Sequence, residues 1–410
     1  MRPMIDSMTS HQHGVAPRSP RRVAGRPGYS GRLTVRSPAP ASTPPSFTRS
    51  VATAFSWSGW KAVGIVATSL VAISTAVVAT ATFFVSARTL EANTRQQTND
   101  RFVKAIDQLG SDRPDIQLGG IYGLEQLARD SPPDHPAVFD VLTAFVRGHA
   151  PLGADKCAKL SSPTLMVPIQ DLAPSAGIQT AIDALARRNR MNDRSDALLD
   201  ISNTCLIVAN LHRLQLPTIS ITNADLRFAD LQQADLHRAD LNHSDLRGVD
   251  ARSTNLNSAR LYYCKLDHGD FSGSDLASAT LEGAQSTEAT FFDSANLTGA
   301  NLLLAQLTGA HLEHANLTDS TLTASNLMGA HLEHANLTRA YLGGAHLTGA
   351  DLTDANLTGA DLAANLDMHT VSSANLTGAN LSGANLTDIY YDASTQWPNG
   401  FQHPPSRPHR

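Results

Sequence analysis

The sequence contains little that would build a catalytic or redox site. Its three cysteines, Cys157, Cys205 and Cys264, are odd in number and show neither disulfide nor metal-ligand spacing. No Ser/His/Asp or Cys/His grouping stands out, and no glycine-rich segment sits in the strand-to-helix context of a phosphate-binding loop. Paired acids are frequent, but nothing predicts a pocket that would shift their pKa values. We therefore expect no enzyme activity and no cofactor.

What the chain does have is a five-residue repeat, Ala-(Asn/Asp)-Leu-x-x, from about residue 199 to 391. A period of five fits neither a helix nor a plain strand. An extended backbone that turns a corner every five residues fits this period. The Leu and Ala side chains then point into the coil, and the other side chains face water. Such a solenoid buries one continuous core. The expected core residues include Leu226, Leu231, Leu236, Leu241, Leu297, Leu317, Leu337 and Leu357.

This pattern resembles the pentapeptide-repeat family. The resemblance implies a mainly β fold, a right-handed quadrilateral β-helix with four pentapeptides per coil, so that residues 20 apart stack. The frame slips twice, which predicts an inserted residue near 292 and a deleted one near 364, with Leu366 and Val371 continuing the repeat. Both slips are expected as local bulges.

A second signal is the run at residues 62–87, which holds 26 positions without charge or proline. About 20 apolar residues span a bilayer core, so we expect a transmembrane helix over residues 59–88 and a single-pass protein of the cell membrane. A buried soluble helix and a cleaved signal peptide are the alternatives. The length of the run, its charged flanks and its distance from the start disfavour both.

The side of the membrane that carries the repeats stays open. Residues 1–58 form a basic Pro/Ser/Arg-rich arm, expected to be disordered, and its charge favours an inside N-terminus with the repeats outside. Within about 20 residues of the span the charge balance reverses. Similar membrane-anchored proteins are usually intracellular, so the resemblance favours a cytoplasmic repeat domain.

Residues 89–198 are predicted to be a helical connector. Helices are expected at 101–109, at 116–129, after Asp134 and at 178–190. This segment resembles the one that precedes the repeats in membrane-anchored actinobacterial and cyanobacterial pentapeptide proteins, and it would cap the solenoid. At the other end, residues 392–410 form a cap and a disordered tail. Aromatic residues within 390–398 suit a plug, and residues 402–410 are expected to be disordered.

Charge is unevenly distributed, since residues 199–391 carry 21 acidic and eight basic side chains. The early acids, from Asp225 to Asp250, recur every five residues and would ring all sides of the coils. Such rings favour solubility. The alternative is DNA mimicry, because some members of the family are proposed to modulate DNA gyrase in this way.

One decapeptide, residues 309–318, recurs unchanged at 329–338. The separation of 20 would place His311 beside His331 and His314 beside His334, with carboxylates alongside. The preferred interpretation is a duplicated surface coil with solvated histidines, so no metal site is predicted. The alternative is a zinc site, because imidazole and carboxylate groups at this spacing are suitable ligands.

These features together predict a membrane-tethered scaffold or protein-interaction rod without catalytic activity. The expected partners are the lipid bilayer, through the transmembrane helix, and a protein that the sequence does not identify. A homodimer is a further alternative, and direct binding to nucleic acid is not expected. The alternative function is a DNA-mimic modulator of gyrase or another topoisomerase.

Overall fold

The computed structural model describes residues 59–154, 157, 168–194, 198–364 and 372–407. The chain divides into two compact units, Met1–Ala81 and Thr82–Arg410. The basic arm predicted for residues 1–58 lies outside the described residues.

Helix α1 runs from Gly59 to Leu109. The sequence predicted a separate helix over 101–109, but these residues are the last part of α1. The helix is continuous because residues 65–109 contain no proline or glycine that would break it. Among the described residues, α1 is the one helix long and apolar enough to cross a membrane. Its most apolar window has a mean hydropathy of 2.0 and none of it is buried.

Three further helices pack together in the second unit: α2 (Pro114–Asp130), α3 (His135–His149) and α4 (Ala176–Arg187). Each is amphipathic, and their shared core includes Ile121, Leu142 and Ile182, all fully buried. Short 3₁₀ turns lie between and after them, at Pro132–Asp134, Ile169–Leu172 and Arg190–Asn192.

The rest of the second unit is a solenoid of parallel coils. Backbone bridges join residues 20 apart, as in Asp225 with Asp245 and Asn316 with Asn336, so four five-residue units make one coil. Successive coils are joined mainly by bridges between single pairs of residues, so long strands do not form. Two ordinary strands occur in the described residues, β1 (Gln285–Ser286) and β2 (Gln306–Leu307), and they pair in parallel.

Most five-residue units of the described solenoid close in a tight turn. In the unit centred on Leu226, the backbone N–H of Ala229 donates to the Leu226 carbonyl at 3.0 Å, and Phe228 has a φ of +59°. Most units repeat this left-handed residue two positions after the centre, which is why Gly, Asn, Asp, His and Ser are common there.

The residue before each centre explains the Asn/Asp preference. Its side-chain oxygen accepts the backbone N–H two residues later, as Asn296 Oδ1 does from Thr298 at 3.3 Å and Asp230 Oδ1 does from Gln232 at 2.9 Å. These short polar side chains therefore stabilise the corner from outside. The apolar centres line the inside. All eight leucines selected from the sequence are at most 1% exposed: Leu226, Leu231, Leu236, Leu241, Leu297, Leu317, Leu337 and Leu357.

The insertion predicted near residue 292 is confirmed, whereas the second frame slip differs from the prediction. The extra residue lies between Ser286 and Phe292, where the bridge spacing rises to 21, and Phe292 is fully buried while Phe291 is half-exposed. The predicted one-residue deletion near 364 is wrong. His346 bridges Asn375, a spacing of 29, so this coil contains an insertion of nine residues. The expected centres Leu366 and Val371 lie outside the described residues.

Both ends of the solenoid are covered. At the start, Arg147 of α3 pairs with Asp200 at 2.8 Å, and Gln179 of α4 donates to the Asn210 carbonyl at 2.6 Å. The apolar cores of the helices and of the coils form one cluster. This helical layer therefore blocks an otherwise open sheet edge.

At the far end, the partly buried Tyr391, Trp397 and Phe401 pack against the core. The prediction that residues 402–410 are disordered is wrong for residues 402–407. Ser406 Oγ donates to the Tyr391 carbonyl at 2.8 Å and the Arg407 N–H donates to the Ile389 carbonyl at 3.1 Å. The tail satisfies polar groups of the last coil, which gives it a fixed place.

The structure also corrects the interpretation of the cysteines. Cys157 and Cys205 form a disulfide with Cα atoms 5.9 Å apart. Residues before Cys157 run along the first coil, where Pro151 pairs with Thr204 and the Cys205 N–H donates to the Ala150 carbonyl. The 48-residue separation hid this contact, because tertiary structure alone creates it.

Candidate metal centre on the solenoid wall

Two outward positions flank each buried centre, one residue before it and one after it. Around Leu312 these positions hold His311 and Glu313. Because neighbouring coils pair at a spacing of 20, His331 stacks on His311, with ring centroids 4.6 Å apart and planes 8° from parallel. The duplicated decapeptide therefore places two imidazole rings one above the other on successive coils, with carboxylates beside them.

We define the imidazole cluster as Asp293, His311, Glu313, His331 and Glu333. Within it, His311 Nδ1 lies 3.2 Å from Glu313 Oε1, and His331 Nδ1 lies 3.5 Å from Glu333 Oε1. The residues form two overlapping triads that share Glu313, and the donor atoms in each triad lie within 4.8 Å of one another. All five side chains are half-buried.

Asp293 and Glu313 lie on successive coils of this wall, and burial together with their mutual contact perturbs the pKa values of both. Burial, together with the neighbouring Glu313, raises the pKa of Asp293 to about 6. For Glu313, burial acts to raise the pKa, but hydrogen bonding with Asp293 and His311 outweighs it, so the net pKa is lowered. Asp293 therefore holds a proton toward Glu313 at mildly acidic pH.

Two oxygens of the imidazole cluster are shielded from solvent without a hydrogen-bond partner among the described residues: Glu313 Oε2 and Glu333 Oε2. Shielded carboxylate oxygens are normally satisfied by a donor, a cation or water. These two oxygens can therefore accept a hydrogen bond or contact a cation.

The other two predicted histidines behave differently. His314 and His334 also stack, with centroids 4.8 Å apart. His334 Nδ1 lies 3.9 Å from Asp354 Oδ2, and neither histidine belongs to a three-donor group in the described part of the chain. The four histidines thus form two stacked pairs. His311 and His331 have several carboxylates beside them, whereas His314 and His334 have few.

The early acidic coils contain a contrasting arrangement, the arginine cluster of Asp225, Arg227, Asp245 and Arg247. Arg227 Nε donates to Asp225 at 2.8 Å, and Arg247 Nε donates to Asp245 at 2.8 Å. The side chains of Asp225 and Arg227 are both only 7% exposed. The same pairing recurs on the neighbouring wall between Arg252 and Asp250 at 2.7 Å. Much of the acidic ring predicted from the sequence is therefore neutralised locally.

Sequence reasoning missed Asp293, which lies outside the duplicated decapeptide. The available signal was its spacing of 20 from Glu313, which places it one coil earlier in the same column. The third cysteine offers no chemistry to this wall. Cys264 is buried and free, and burial raises the pKa of its thiol to about 12.

Comparison with known families identifies the repeats. The family Pentapeptide repeats (8 copies) matches residues 220–257, 254–291, 292–323, 325–362 and 363–389. Residues 220–389 are pentapeptide repeats. No curated protein matches the chain.

Several solved pentapeptide-repeat structures are similar to the chain. One comes from the thylakoid lumen of Arabidopsis thaliana, with 28% identity over 32% of this chain and 69% of that one, at a TM-score of 0.18. Another is full-length QnrB1, a plasmid-mediated fluoroquinolone resistance protein, with 15% identity over 48% and 93%, at 0.17. A third is Rfr23 from the cyanobacterium Cyanothece 51142, with 21% identity over 49% and 90%, at 0.13. The pentapeptide repeats of this chain form a β-helix solenoid, because parallel bridges join residues 20 apart on successive coils.

Proposed function

We propose that the protein is a non-catalytic, membrane-tethered interaction rod, with one transmembrane helix and a right-handed quadrilateral β-helix as its binding surface. The observation that carries the proposal is the exposed apolar stretch of α1. Ile65, Val71 and Val77 are 59–66% exposed, and the surrounding window is free of buried positions. So long an apolar surface needs a lipid environment or a partner to cover it.

The covered ends support the role of an interaction rod. Helices block the first coil, and the aromatic cap with its ordered tail blocks the last, so the walls are the surface left for partners. The groups of metal-ligating side chains among the described residues lie on these walls, and their side chains are half-buried. This arrangement suits recognition better than catalysis.

Local ion pairing weighs against DNA mimicry. A mimic needs unneutralised negative charge along its length. In the acidic coils, Arg227, Arg247 and Arg252 each pair with an aspartate two residues earlier. We expect no inhibition of DNA supercoiling by gyrase at low salt, and inhibition there would support the alternative.

We further propose that the repeat domain faces the oxidising side of the membrane. The disulfide between Cys157 and Cys205 supports this, because disulfides persist in oxidising compartments and are rare in the cytosol. The basic residues of the N-terminal arm favour the same orientation, with the N-terminus inside. The disulfide outweighs the resemblance that favoured a cytoplasmic repeat domain.

Thiol counting in cells tests this orientation. Cells are acid-quenched, and the denatured protein is then treated with a polyethylene-glycol maleimide. We expect one adduct, at Cys264, without reduction and three after reduction. The Cys157→Ser variant is the matched control and should give two adducts without reduction. Three adducts on the unreduced native protein would place the repeats in a reducing compartment.

Membrane attachment is tested by replacing residues 62–87 in two ways. Deletion should release the protein into the soluble fraction, whereas an unrelated apolar helix of equal length should retain it in the membrane. Partners captured by cross-linking should be recovered with the replacement helix and lost with the deletion. Retention of the deleted protein in the membrane would contradict the proposed anchor.

A further inference from the structure

The imidazole cluster goes beyond the proposed tethering and interaction role. We propose that Asp293, His311, Glu313, His331 and Glu333 bind a divalent transition-metal ion of the zinc class on the wall of the solenoid. No part of the membrane or interaction proposal depends on this site.

The donor set selects the class of ion. The cluster offers imidazole nitrogens and carboxylate oxygens, the combination that zinc and neighbouring first-row ions accept. Calcium and magnesium prefer sites built from oxygen alone. Two histidines that face the same carboxylate therefore favour zinc, cobalt or nickel over the alkaline-earth ions.

The backbone holds the donors in place before any ion arrives. The Leu312 N–H donates to the His331 carbonyl at 2.7 Å, and the His331 N–H donates to the Ala310 carbonyl at 2.9 Å. Coils joined on both sides fix the separation of their side chains at the stacking distance. The donor atoms of each triad lie within 4.8 Å, whereas bonds of about 2.0–2.2 Å to zinc require slightly shorter separations. Small side-chain rotations can supply this difference.

An independent observation concerns the carboxylate oxygens of the two glutamates. Glu313 Oε2 and Glu333 Oε2 are shielded without a hydrogen-bond partner among the described residues. Within the same residues, neither glutamate nor Asp293 forms an ion pair with lysine or arginine. Stacked like charges are unfavourable across neighbouring strands. A divalent cation centred near Glu313 would satisfy both oxygens and remove the repulsion.

The molecule contains its own control. His314 and His334 stack at almost the same distance on the adjacent column, but without a three-donor group in the described residues. Their presence means that a pair of stacked histidines can be compared with and without carboxylates in one protein. The proposal assigns the metal to the first pair alone.

Isothermal titration calorimetry of the untagged full chain in detergent, after treatment with a chelator, tests the site with zinc chloride alone. We expect saturable binding with one or two ions per chain. His311→Ala/His331→Ala and the near-isosteric Glu313→Gln should each weaken binding at least tenfold, whereas His314→Ala/His334→Ala should leave it unchanged. Circular dichroism confirms that each variant is folded.

Cobalt substitution gives a second readout. Visible absorption of the cobalt form should appear in the native protein and in His314→Ala/His334→Ala, and should be lost in Glu313→Gln. Magnesium and calcium should produce no heat in the calorimeter. Absence of zinc binding to the native protein, or equal loss of binding in the two double-histidine variants, would overturn the proposal.

Discussion

The arginine cluster and the imidazole cluster use the same scaffold to opposite effect. In both, acidic side chains stack on successive coils at positions flanking a buried leucine or phenylalanine. In the arginine cluster, a guanidinium two residues after each aspartate neutralises it, and Asp225 and Arg227 are nearly buried as a result. In the imidazole cluster the neighbouring groups are histidines and further carboxylates, and two oxygens remain unsatisfied among the described residues.

This contrast separates charge that holds the rod together from charge available to bind something. In the arginine cluster, a guanidinium of the same chain neutralises each aspartate. In the imidazole cluster, the positive charge comes from a bound ion or proton. Its contribution to the free energy of unfolding therefore depends on pH and on the metal concentration. Substitutions at equivalent positions in the two clusters can therefore be expected to differ in sign.

The largest effect is expected at Arg227. Arg227→Ala leaves Asp225 buried without its partner and removes a hydrogen bond to the Cys157 carbonyl. Loss of one member of a buried pair costs about 3 kcal/mol, whereas an exposed pair contributes about 0.5 kcal/mol. The free energy of unfolding in urea should fall accordingly. Arg252→Ala, at a side chain 51% exposed, is the control. Equal losses in both variants would mean that burial of the pair is unimportant.

The next effect concerns pH. The pKa of Asp293 is raised to about 6 from its ordinary 3.8, so the folded protein binds the proton more tightly than the unfolded chain. This group stabilises the fold fully below about pH 4, and the contribution is lost as pH rises through 6. The loss should be of order 1 kcal/mol, because the carboxyl is half-exposed and screened. Urea unfolding of metal-free protein across this range measures it, and Asp293→Asn should abolish it.

The matched control lies on the same wall at Asp250, in the column that continues to His311. Hydrogen bonding from Arg252 lowers the pKa of Asp250, so its contribution has the opposite sign. It is present above about pH 4 and is lost as pH falls below that value. Asp250→Asn should therefore lower stability above about pH 4 and have little effect well below that value. Identical pH profiles for the two variants would remove the distinction between the clusters.

The smallest effect is expected for Glu313→Gln without metal. The substitution removes a like charge beside Asp293, and at pH 8 it should raise the free energy of unfolding by about 0.5 kcal/mol. Asp245→Asn makes the equivalent change in the arginine cluster and should destabilise the protein, because it removes the acceptor of Arg247. Destabilisation by Glu313→Gln would indicate that the carboxylate already has a partner.

Much of the solenoid can be predicted from its sequence because each residue's position in the five-residue unit decides whether it faces inward. The pairing of residues 20 apart, such as His311 with His331 and Asp240 with Arg260, is confirmed. The helices of the cap were also predicted, since periodic apolar residues mark α2 and α3 and an early proline marks α3.

Other features depend on contacts that no local pattern records. The insertion before Asn375 was hidden because Leu366 and Val371 continue the period by letter, while the bridge from His346 skips them. The disulfide required knowing that residues before Cys157 return to the first coil. The ion pairs between arginine and aspartate could not be predicted, because they depend on side-chain conformations that the position in a column does not determine.

A coil of 20 residues also has a consequence for how this protein can change. Duplication of one such coil inserts a new layer whose hydrogen bonds match those above and below it, so the copy needs no compensating substitutions. Each outward side chain is then repeated at the same place on the wall. The identical decapeptides at 309–318 and 329–338 have this relationship. A single copying event can therefore turn a solitary imidazole into a pair of ligands.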